Sequence, residues 1–126
     1  MKLSTFLTIS AVIALAFGFA FVAAPARMLT QYGMVPYSAS VIMSRFFGAT
    51  LFTLGLLVFL ARSVSDPIAR RAIVFGSLVG DALGLAVAIH AQRSGFINAL
   101  GWSSVAIYAL LTLGFAYFAF GERTAK

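Results

Sequence analysis

The chain has 126 residues, 62% of them hydrophobic and 10% charged, with a mean hydropathy of +1.03 and a net charge of +6. Soluble domains carry about 45–50% apolar and about 25% charged residues, so this composition excludes a water-soluble domain and indicates an integral membrane chain. With no cysteine, one histidine and three acidic residues, disulfide, thiolate and iron–sulfur chemistry are excluded and a transition-metal site is hard to assemble.

Four segments are long and apolar enough to cross about 30 Å of hydrocarbon. They run over 3–24, 37–61, 68–91 and 96–120, and the outer two carry no charge in their apolar runs. The first has the basic start and small-residue end of a secretory signal. A signal core is about 7–15 residues, however, and the uncharged run after Lys2 is longer, so it reads as a span.

After it, Pro25 suits the first turn of a short helix through Arg27, Met28, Leu29 and Tyr32, with Gly33 as terminator. Met28, Leu29 and Tyr32 share one face and Arg27 and Gln31 lie away from it, the pattern of an interfacial helix. Between the second and third spans, Asp66-Pro67 is a helix restart: Asp66 suits the cap and Pro67 the first turn. The links are short, which predicts antiparallel neighbours. The expectation is an all-α integral membrane four-helix bundle with a short interfacial helix after the first span, one domain over 1–126.

The basic residues punctuate the apolar runs and form no patch with interleaved aromatics, so they read as topology signals and not as a nucleic-acid surface. One side holds Lys2, Arg62, Arg70, Arg71, Arg123 and Lys126, the other Arg27 and Arg93. By the positive-inside rule both termini are cytoplasmic.

Helices in lipid associate through small residues and polar contacts. In the third span Ala72, Gly76, Gly80, Gly84 and Ala88 recur at every fourth position, and Ser44, Gly48 and Gly55 in the second and Ala14 and Gly18 in the first repeat the theme. Gly76, Gly80, Gly84 and Gly48 are the expected helix-packing residues, within the bundle or in a homo-oligomer. Two charges lie deep inside spans, away from their ends: Arg45 and Asp81. Each costs about 2.5–3.5 kcal/mol at a helix centre, so such residues pair, face inward or line a wet cavity. Counted from Tyr37 and His90 they sit at about 12 Å and about 13–14 Å, a matching depth that makes an Arg45–Asp81 pair plausible, in a structural or a functional role.

Ser104, eight positions inside Phe96, and Tyr108, a turn deeper, are candidates to complete a polar cluster. Trp102 and His90 read as interfacial markers. Nine positions on one helix turn about 900°, which sets His90 opposite Asp81 and rules out a relay between them. The many phenylalanines read as lipid-facing packing, and no haem ligation is supported.

Two segments carry a family resemblance: Pro25-Ala26-Arg27-Met28-Leu29 with Tyr32-Gly33, and Arg45-Phe46-Phe47-Gly48 followed by Leu51, Leu54, Gly55 and Leu56. With the four-span layout they resemble small, uncharacterised bacterial inner-membrane proteins of the DoxX-like type. That resemblance implies a multi-pass protein of the inner membrane and an association with membrane redox complexes handling quinone or thiosulfate. From its own residues the chain reads as a non-catalytic accessory or interaction subunit, without a cofactor, in contact with lipid and with further copies or a larger membrane complex. The alternative is binding or transport of a quinone, lipid or small organic ion at an outer-leaflet site around Arg45 and Asp81. No catalytic residue and no metal ligand is assigned, and an enzyme is the least supported reading.

Overall fold

A computed structural model describes residues 2–121, and among them every regular element is helical. In chain order these are α1 (Leu3–Ala23), α2 (Pro25–Gln31), α3 (Ser38–Leu60), α4 (Pro67–Arg93) and α5 (Gly101–Ala116), the last continued by a π-helical turn, Tyr117–Gly121. Four helical stretches, of 21, 23, 27 and 21 residues, are long and apolar enough to cross a membrane. The chain is an all-α membrane protein with four candidate spans and a short helix after the first. Arg123 and Lys126, counted in the topology, lie outside the described residues.

Several hydroxyl groups inside the apolar helices are met by their own backbone. Thr8 donates to Ser4 O at 2.8 Å, Thr53 to Ala49 O at 3.0 Å and Thr112 to Tyr108 O at 2.7 Å. These bonds leave no bare hydroxyl for lipid to face at those positions.

The chain divides into two compact units, Met1–Ser63 and Val64–Lys126. In the first, α1 and α3 run antiparallel and approach to backbone contact. A Cβ on Gly18 would lie 2.6 Å from Phe52 N and 2.8 Å from Gly48 O, and one on Gly48 would lie 2.8 Å from Gly18 O. Only two glycines facing each other allow that crossing. Further along, a Cβ on Gly55 would lie 3.0 Å from Ala14 Cβ and from Leu15, and Phe21 meets Phe47 edge to face with centroids 5.2 Å apart.

α2 follows the expected pattern. Pro25 opens it; Leu29 and Tyr32 are buried and Met28 is half-buried, while Arg27 and Gln31 are exposed. It ends at Gly33, whose φ of 80° is the left-handed conformation that glycine adopts without strain. Gly33 N donates to Thr30 O at 3.0 Å and Met34 N to Leu29 O at 2.9 Å, the paired bonds of a Schellman terminus.

In the second unit Asp66 caps α4, its carboxylate accepting from Ala69 N at 2.8 Å, and Pro67 occupies the first turn. The fourth span starts later than its apolar run. The sequence predicts a span from 96, whereas α4 continues to Arg93, Gly95 turns the chain at φ 84°, and α5 opens at Gly101. Side chains hold that turn: Asn98 Oδ1 accepts from Leu100 N at 3.0 Å and Gln92 Nε2 donates to Asn98 O at 3.0 Å. Hydropathy alone does not register these polar contacts. At the other end Phe75 and Phe120 meet edge to face at 5.6 Å, with the Arg71 guanidinium 5.3 Å from the Phe75 ring centroid.

Candidate functional site

Arg45 sits seven positions into α3, beside the residues that pack on α1 and not among them. Ser44 and Gly48 are buried, and Arg45 is exposed. Adjacent positions on a helix are turned by about 100°, enough to carry Arg45 from the α1 face to the outside of the unit. It makes no hydrogen bond or ion pair among the described residues.

Asp81 lies near the middle of α4, 14 positions after Pro67 and 12 before Arg93. It belongs to the stripe of α4 that turns toward α5. Val74 is buried, and Ser77, Asp81, Gly84, Ala88 and Gln92 are partly covered. Two points set the register of the antiparallel α4–α5 pair. A Cβ on Gly84 would run into the Tyr108 ring, and one on Gly101 into Gln92 Oε1. That Gln92 oxygen is itself buried without a hydrogen-bond partner among the described residues.

Tyr108 therefore lies level with Gly84 and fills the space that the missing side chain leaves. Asp81 is three positions from Gly84 in one direction along the pair, about 4.5 Å, and Ser104 is four positions from Tyr108 in the other, about 6 Å. Ser104 and Asp81 are thus separated along the axis, because α5 opens at Gly101 and not at Phe96. Asp81 makes no hydrogen bond or ion pair among the described residues.

The small-residue row of α4 divides. Gly84 is packed on Tyr108, whereas a Cβ on Gly76 or Gly80 would meet nothing within 4 Å, and Ala72 is exposed. Geometry explains the division: an i+4 row drifts by about 40° per step, so Gly76 points about 80° away from Gly84. In α3, Gly48 is packed, and its partner Gly18 forms the closest approach in the first unit. The Ala14-xxx-Gly18 spacing carries that signal in the sequence.

Among the described residues no group of three or more His, Cys, Asp or Glu side chains is placed to hold a metal ion. Deep in the candidate spans, the described residues offer the exposed Arg45 guanidinium, the half-buried Asp81 carboxylate and the open small-residue face at Gly76 and Gly80. Comparison with protein-family models, curated proteins and solved structures returned no match to this chain.

Proposed function

We propose that the chain is a non-catalytic, multi-pass subunit of the bacterial inner membrane, of DoxX-like type and with both termini cytoplasmic, that associates through α4 with further copies or with another membrane protein. One observation carries the reading. Gly76 and Gly80 lie on an apolar helix long enough to span and a Cβ at either would meet nothing within 4 Å among the described residues, although small residues in lipid are the usual means of bringing a second helix close. The six basic residues assigned to one side, against two on the other, support the orientation.

Native mass spectrometry after gentle detergent extraction tests the association. The expected result is an assembly heavier than one chain that Gly80→Leu reduces to the single chain without lowering its melting temperature. A wild-type protein that leaves the membrane as a lone chain overturns it.

Asp81 supports a second reading, binding of a quinone, lipid or small organic ion, because a carboxylate near the middle of a span has no partner among the described residues. Binding of such a compound that survives Asp81→Asn unchanged removes this reading.

A further inference from the structure

We propose that Arg45 anchors a phospholipid site, its guanidinium holding the phosphate of a lipid in the leaflet that meets the amino-terminal end of α3, with the Ser38 hydroxyl as a second donor. The site goes beyond the association through α4 and depends neither on that role nor on which end of α3 is cytoplasmic.

Burial and bonding come first. Arg45 is exposed on a helix long and apolar enough to span, and no described residue bonds to it. A bare guanidinium in hydrocarbon costs several kcal/mol, so it must meet water, an anion or a carboxylate.

Depth selects the anion. α3 has 23 residues, about 34 Å of helix against about 30 Å of hydrocarbon, so its ends reach both interfaces. Arg45 lies seven positions from Ser38, about 10 Å along the axis, which sets its Cα within the hydrocarbon but near one boundary. Helical Cα–Cβ bonds tilt toward the helix amino terminus, and for Arg45 that is the direction of the nearer boundary. A long, flexible side chain starting in that direction snorkels to the headgroup level. Asp81 has neither advantage, being short and near mid-helix.

Charge and shape select phosphate. The zone just beneath the headgroups presents phosphate oxygens, and the guanidinium fork matches them two at a time. Seven positions turn about 700°, so Ser38 stands above Arg45 on the same face, within about 20°. Ser38 is exposed and has no hydrogen bond to its side chain among the described residues.

The test measures melting temperature in a nonionic maltoside detergent with added dimyristoyl phosphatidylglycerol, dimyristoylglycerol or inorganic phosphate. Phosphatidylglycerol should raise the melting temperature of the wild type, while the phosphate-free diacylglycerol and free phosphate leave it unchanged. Arg45→Gln should need about tenfold more phosphatidylglycerol for the same rise, as expected when one charge-assisted fork is lost. Ser38→Ala should need less than that, and Arg27→Gln should respond as wild type does. A wild-type response in Arg45→Gln overturns the site. Where Arg45→Gln does not fold, a wild-type response in Arg45→Lys, which keeps the charge but not the fork, overturns it equally. An equal rise with dimyristoylglycerol or with inorganic phosphate alone also overturns it, because the lipid phosphate is then not what is read. An assembly lost on Gly80→Leu but unaffected by these variants separates this site from association through α4.

Discussion

A methyl group at Gly18 would press on Phe52 N and Gly48 O, both backbone atoms that no rotamer change moves aside. Gly18→Ala and Gly48→Ala should therefore each force α1 and α3 apart and cost about 1–3 kcal/mol, read as a lower melting temperature in detergent. Gly80→Ala is the control, because its Cβ enters open space. There the helix propensity of alanine should leave stability unchanged or raise it by up to about 1 kcal/mol, and a marked loss would show that something beyond α5 occupies that face. Arg45 and Asp81 give a second comparison. If Arg45 meets a lipid phosphate, the losses from Arg45→Gln and Asp81→Asn should add, with coupling below about 0.5 kcal/mol in a double-mutant cycle. Recovery of stability in the double variant would instead show that the two charges neutralise each other.

Among the elements, α2 and the start of α4 depend on single backbone conformations or caps. Gly33→Ala forces a side chain into the left-handed region at φ 80° and should cost about 1 kcal/mol. The loss should appear as faster proteolysis between α2 and α3, and an unchanged digestion rate would mean that the terminus re-forms without glycine. Asp66→Ala removes the acceptor for Ala69 N and should cost about 0.5–2 kcal/mol, which Asp66→Asn or Asp66→Ser should largely restore. α5 behaves differently. Its start is held by Gln92, Asn98 and the absence of a side chain at Gly101, so its boundary is set by contacts that cross from one helix end to the other.

For the molecule as a whole, the absence of native cysteine makes introduced thiols unambiguous reporters of topology. If both termini are cytoplasmic, as proposed, Arg62→Cys should resist an impermeant thiol reagent in intact cells while Gln31→Cys reacts. The reverse pattern would invert the orientation, and with it the positive-inside assignment.

Hydropathy, helix caps and turn residues are short-range properties, and for that reason the sequence by itself determined the all-α membrane class, the four candidate spans, α2 with its Gly33 terminus and the Asp66-Pro67 restart. It also singled out Arg45 and Asp81, since a charge within an apolar run is visible without any neighbour. Only the tertiary structure decided which small residues pack, that Gly84 rather than Gly76 or Gly80 meets α5, that Tyr108 fills the space beside it, and that Ser104 lies away from Asp81. In water the buried face of a helix is marked by its apolar stripe. Lipid is as apolar as a protein interior, so the long helices of this chain are largely hydrophobic on every side and their facing sides are set by close fit between backbones that lie far apart in sequence.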